Sequence, residues 1–182
     1  MPIRRTTRPA APASDDFIVM NRRKVIVVGA GPAGIVTAIA AQKYGLRATV
    51  LDARTPPIDK PCGEGILPQG VAALRALGIS LPPESAFPYR GIQFVDEKSS
   101  ARANFADATG LSVRRVKLHQ FLVSHAIEAG VEFRWGARVT QIDKDAVKTA
   151  QERFPFDWLV GADGQNSFVR KWAVALAGVL PA

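Results

Sequence analysis

Three glycines, Gly29, Gly31 and Gly34, stand in "VIVVGAGPAG" with the spacing G-x-G-x-x-G, between an apolar run and a helical pattern. This arrangement suits a pyrophosphate. The first glycine permits a tight turn, the second lets phosphate approach the backbone, and the third lets helix and strand pack closely. Ala30, Pro32 and Ala33 complete the loop, and the free N–H groups and dipole of the helix start favour an anion. Asp52 follows Gly29 by 23 residues, close to the separation of about 20 at which an acidic side chain meets ribose hydroxyls. The motif leaves NAD and FAD both open.

A second junction lies in "DWLVGADGQNSFVRKW", where an apolar run meets Asp163 and Gly164 before a polar helix start containing Ser167 and Arg170. A tight strand-to-helix connection with an aspartate N-cap is its structural reading. Cys62 is the only cysteine, which excludes a disulfide framework and a cysteine zinc site and suits a reducing compartment. A redox role beside Lys60 is weighed for it, but a small buried thiol is the expectation. His119 and His125 are six apart on one helix, which is not metal-ligand spacing. Trp135, Trp158 and Trp172 are assigned to packing.

The elements that must hold these residues follow from periodicity. "KVIVVG" and "LRATVLDA" are continuous apolar runs, as expected of parallel strands buried on both faces. "PAGIVTAIAAQKYG" reads as a helix between Pro32 and Gly45. "RTPPIDKPCGEGILPQG" is a proline-rich loop leading to a short helix in "VAALRALG", and "GIQFVDEKSSARANF" reads as a hairpin. "RRVKLHQFLVSHAIEAG" places Val116, Leu118, Phe121, Leu122, His125, Ala126 and Ala129 largely along one helical face. "VEFRW" is read as a third buried strand, and "ARVTQID", "DAVKTA" and "RFPFDWLVGAD" as three strands of a β-meander. The expected fold is α/β, doubly wound and Rossmann-type, with that meander and a hairpin excursion.

Net charge is +8 over 182 residues. Residues 1–24 hold six basic and two acidic side chains, so +4 sits in the leader and +4 in the rest. The folded part is mildly basic, which suits a phosphate-bearing ligand. It lacks the clustered basic face or interleaved aromatics of a nucleic-acid binder. No uncharged run reaches the roughly 20 residues that span a bilayer, and a cytoplasmic protein is expected. Residues 1–22 read as a disordered leader, with Met20 an alternative start to Met1.

"VGAGPAG", Asp52, an arginine at Arg115 in "RRVKLHQFL", and "WLVGADGQNSFVR" occur here in the order seen in one group. Over roughly residues 24–172 the chain resembles FAD-dependent oxidoreductases related to para-hydroxybenzoate hydroxylase and geranylgeranyl reductase. The loop "DKPCGEGILPQGVAALRALGI" is similar to that of single-component flavin monooxygenases and the reductases and halogenases near them. The resemblance implies FAD pyrophosphate at Gly29, Ala30, Gly31, Pro32, Ala33 and Gly34, and ribose at Asp52, with Ala53 and Arg54 along the adenosine. It implies that Arg115 reaches the phosphate or ribityl region and that Cys62, Gly63, Glu64 and Gly65 pass near the flavin. It further implies that Asp163 and Gly164 form a second clasp near the pyrophosphate, in a motif the group also links to NAD(P)H use.

What the resemblance implies for activity is an NAD(P)H-dependent flavin monooxygenase acting on an organic small molecule. The alternatives are a geranylgeranyl-reductase-like hydride donor and a nucleotide-binding module without catalysis. The flavin carries the chemistry in such enzymes, so neither a catalytic triad nor a metal is required. The group's chains continue past this point with another Gly-Asp segment and most of a substrate domain. The expected organisation is therefore a leader at 1–22 and an FAD-binding domain at 23–172. Within that domain, 80–112 is a partial substrate-domain excursion with unpaired sheet edges. An apolar tail follows at 173–182, and the chain is read as the N-terminal part of a longer flavoenzyme.

Overall fold

The computed structural model describes residues 23–106 and 108–178; the leader at 1–22 lies outside them. Four strands form one parallel sheet: β1 (Lys24–Val28), β2 (Arg47–Asp52), β8 (Glu132–Trp135) and β12 (Trp158–Gly161), in the order β12-β1-β2-β8. The register pairs Val28 with both Leu51 and Gly161, and Asp52 with Trp135. All four C-terminal strand ends therefore line one edge. The chain leaves β1 for β2 on one side and returns to β12 on the other, so β1 marks the point of order reversal where open α/β sheets bind ligands.

The period-2 geometry of β1 explains why its apolar run is unbroken. Val25 and Val27 face a core made with α1 (Pro32–Lys43) and α3 (Arg115–Glu128). Ile26 and Val28 face a second core containing Ile142, Val147, Phe154 and Val169. That second core is covered by an antiparallel meander, β9 (Gln141–Ile142), β10 (Ala146–Lys148) and β11 (Arg153–Pro155), together with α4 (Phe168–Ala177).

Several sequence expectations are corrected here. "RFPFDWLVGAD" is two strands. Asp157 breaks it, donating its N–H to the Lys24 carbonyl and accepting from the Lys24 N–H through its carboxylate, and the chain then leaves the meander for the parallel sheet. The strand in "VEFRW" is an edge strand, half-buried with Arg134 exposed. A small antiparallel sheet, β3 (Gly65–Ile66), β7 (Gly110–Ser112) and β4 (Phe87–Tyr89), has strands too short to show alternation. α2 (Pro68–Ala76) begins at its proline, earlier than the apolar pattern indicated.

The hairpin is present as β5 (Gly91–Val95) and β6 (Ser100–Asn104). Its turn is held by the Asp96 carboxylate, which accepts from the N–H groups of Lys98 and Ser99. Phe94 is 72% exposed. α4 runs past residue 172, where the FAD-binding domain was expected to end, and residues 179–182 lie outside the described structure. Among the described residues no helix is long and apolar enough to cross a membrane.

Candidate functional site

The loop after β1 is shaped by contacts that a side chain would destroy. Gly29 has φ +106°, and a Cβ there would lie 2.3 Å from the Ala162 carbonyl oxygen. A Cβ on Gly34 would lie 1.9 Å from the Gly29 carbonyl oxygen. Gly31 differs, because a Cβ there would meet nothing within 4 Å. The space above Gly31 opens into a groove of about 300 Å³. Gly31 is also the N-cap of α1, with no side-chain hydrogen bond and Pro32 following. Pro32 has no N–H to offer, and those of Ala33 and Gly34 have no acceptor among the described residues, as expected of a helix start.

Gly29, Gly31, Asp52, Ala53, Arg54 and Asp163 all line this groove. The Asp52 carboxylate accepts from the Ala30 N–H at 2.8 Å and the Arg54 N–H at 2.8 Å. A carboxylate offers about four lone-pair sites, so acceptor capacity remains. Ala30 is buried beneath the loop, and Pro32 and Ala33 border a neighbouring apolar depression with Leu118 and Leu122. Gly34 sits where the helix packs closely on the loop and on Ala162.

The Asp163 carboxylate is largely committed to α4. It accepts from the Ser167 hydroxyl and from the N–H groups of Phe168 at 2.6 Å and Val169 at 3.3 Å. Ser167 Oγ in turn accepts from the Arg170 N–H at 2.9 Å. Gly164 takes φ +88° in the turn between them. Asp163→Ala removes this cap and is expected to cost about 1–2 kcal/mol, read as a lowered midpoint of thermal unfolding. Asn at 163 keeps one acceptor oxygen and should lose less.

Cys62, Glu64 and Arg115 border a second depression of about 410 Å³, which shares Lys60 with the first. Cys62 is exposed, which corrects the expectation of a buried thiol. Flanked by Gly63 and Gly65, Glu64 itself adopts φ +52°, a conformation non-glycine residues seldom take. Its carboxylate accepts from the Arg115 N–H at 3.0 Å and so caps α3 from 51 residues away. The Arg115 side chain is 6% exposed, and its Nη1 has no partner among the described residues. An unpaired buried cation is costly unless an anion meets it.

The buried face of α3 is Arg115, Leu118, His119, Leu122 and Ala126, rotated from the face read in the sequence. His119 is 0% exposed, lies edge-on to Trp135, and donates from Nε2 to the Ala30 carbonyl at 3.0 Å. Burial holds its pKa below the ordinary imidazole value, against the opposing effect of that carbonyl bond. Lys60, Arg138 and Asn166 also line the first groove and were not singled out from sequence. Arg138 could have been: it follows the strand whose end pairs with Asp52, and ligands sit at such strand ends. Trp135 is half-buried and stacks on Phe133. Arg114 and Lys117 are solvated.

An unpartnered buried guanidinium, open space over Gly31 and the cations Arg54, Lys60 and Arg138 fit a diphosphate-bearing dinucleotide such as FAD. Comparison with known proteins agrees. The chain is 31% identical over 155 residues to a menaquinone reductase of Mycobacterium tuberculosis, covering 83% of this chain and 36% of that protein. It is 30% identical over 166 residues to 12-dehydrotetracycline 5-monooxygenase/anhydrotetracycline 6-monooxygenase of Streptomyces rimosus, covering 82% of this chain and 32% of that one. It thus spans well under half the length of these relatives.

The fold is like that of Pseudomonas aeruginosa PqsL in complex with 2-aminobenzoylacetate, with TM-score 0.72, 19% identity, and coverage of 89% of this chain and 47% of that one. It is also like p-nitrophenol 4-monooxygenase PnpA of Pseudomonas putida, with TM-score 0.69, 24% identity, and coverage of 82% and 42%. Residues 22–175 match the family described as FAD binding domain, and the chain belongs to that family.

Proposed function

We propose that this chain is the cofactor-holding part of an NAD(P)H-dependent flavin monooxygenase that acts on an organic small molecule. The observation that carries the reading is the buried Arg115 guanidinium, whose Nη1 lacks a partner among the described residues, in the depression that shares Lys60 with the glycine-loop groove. When bound, FAD supplies hydride acceptance and oxygen chemistry. The chain's own residues do the rest. Gly31 and the first turn of α1 receive the diphosphate, Asp52 receives the ribose hydroxyls, and Ala53 and Arg54 flank the adenosine. Arg115 offsets phosphate charge in a site shielded from water, where a charge acts more strongly. The loop Cys62–Gly65 borders the flavin end. Asp163 and Gly164 set the direction of α4 at the far wall of the groove.

Relatives named as monooxygenases support oxygenation. The menaquinone reductases support a reductive outcome as the second reading, and the geranylgeranyl-reductase-like variant of it is not favoured. An exposed single cysteine is consistent with a cytoplasmic, reducing setting.

The test is to load the chain with FAD, remove free flavin, and add NADH or NADPH without oxygen. Loss of the flavin absorbance, and its return on admitting air, is the expected result. Retained flavin that neither nucleotide bleaches would overturn the enzymatic reading in favour of a nucleotide-binding module.

A further inference from the structure

The loop residue between the first two glycines is held from both sides. Ala30 is 0% exposed. Its N–H donates to Asp52 Oδ2 at 2.8 Å, from the end of β2, and its carbonyl accepts from His119 Nε2 at 3.0 Å, from α3. Two successive peptide planes of the Gly29-Ala30-Gly31 turn are therefore each fixed by one side chain. A carbonyl can only accept, so Nε2 carries the ring proton and Nδ1 does not need one. Nδ1 is buried without a partner among the described residues, and a proton there would add charge beside Arg115, one turn earlier on the same helix face.

The consequence concerns the next residue. In a trans peptide the C=O and the following N–H point in opposite directions. Drawing the Ala30 carbonyl inward to His119 turns the Gly31 N–H outward, and that N–H has no acceptor among the described residues. Gly31 lines the groove and has open space around it. We propose that His119, protonated on Nε2, is a positioning residue that presents the Gly31 N–H to the dinucleotide diphosphate. This rests on the FAD reading and adds to it a residue whose sequence context suggests only core packing. His119 does not touch the cofactor; it acts through the Ala30 peptide.

Replacement by leucine removes the donor, whereas glutamine can place an amide N–H near the position of Nε2. With the full chain, FAD binding measured by quenching of flavin fluorescence should weaken about tenfold in His119→Leu, the equivalent of one lost buried hydrogen bond. His119→Gln should recover most of that loss. Equal affinity in the leucine variant, or glutamine no better than leucine, would overturn the proposal.

A second measurement needs neither FAD nor a variant that folds. Nitrogen NMR of the unliganded chain, which has only two histidines, reads the tautomer of His119 directly. The Nε2–H form at neutral pH is expected; an Nδ1–H or doubly protonated ring would sink the clamp. If the unmodified chain shows the Nε2–H form yet fails to bind FAD, the clamp stands and the cofactor reading falls.

Discussion

Gly34→Ala is expected to destabilise the chain by about 3 kcal/mol or more, while Gly31→Ala leaves stability within a few tenths and abolishes FAD retention. The contrast follows from what each new methyl would meet. At Gly34 it would lie 1.9 Å from the Gly29 carbonyl oxygen and 3.1 Å from the Ala162 Cβ. The first of these is backbone, held in turn by the Gly29 N–H bond to the Leu51 carbonyl at 2.8 Å. Only separating α1 from β1 relieves the clash, and that opens the larger core. At Gly31 the backbone is extended, with φ −73° and ψ 172°, and nothing stands within 4 Å. Alanine fits there in the absence of ligand, and its methyl occupies the space through which a diphosphate must approach. Thermal unfolding by circular dichroism, paired with flavin retention, measures both effects. A Gly34→Ala chain with an unchanged midpoint, or a Gly31→Ala chain that still holds flavin, would refute the assignment of roles.

Arg115→Met should move affinity and stability in opposite directions. The unliganded chain should be as stable as before or more so, and its FAD affinity should fall about 10- to 100-fold, the effect of losing a hydrogen bond from a charged group. Methionine is unbranched and fills irregular space, so the buried stem is replaced without a large cavity. The desolvated charge, whose Nη1 is unpartnered among the described residues, is removed with its penalty. The bond from the Arg115 backbone N–H to Glu64 Oε1 survives the substitution, because it involves no side-chain atom of Arg115. Chemical denaturation of the unliganded variant and flavin titration give the two numbers. A large loss of stability with unchanged affinity would make Arg115 a structural cation instead.

The glycine loop was legible because its chemistry is local. Gly29, Ala30, Gly31 and Asp52 are tied to one another by a strand, a turn and the next strand, and spacing alone carries that information. The double-sided burial of β1 was likewise visible as an unbroken β-branched run. What spacing could not carry is contact across long separations. Glu64 reads as one polar residue in a glycine-rich loop, yet it caps a helix that starts 51 residues later. His119 reads as a core or surface histidine, and only the packing of α3 against the loop reveals its bond to Ala30. The break at Asp157 was hidden because "RFPFDWLVG" is apolar on both sides of it, and the crossing depends on the partner Lys24 from the other end of the chain. β3, β4 and β7 were missed because two or three residues give no period.

The central claim is that the groove beside Gly31 and the buried Arg115 together hold FAD. The most direct measurement is a visible absorption spectrum of the purified chain, mixed with FAD and freed of unbound flavin by gel filtration. A flavin band retained at about one equivalent per chain, and lost in Gly31→Ala, is the predicted result. A folded, colourless chain would contradict it.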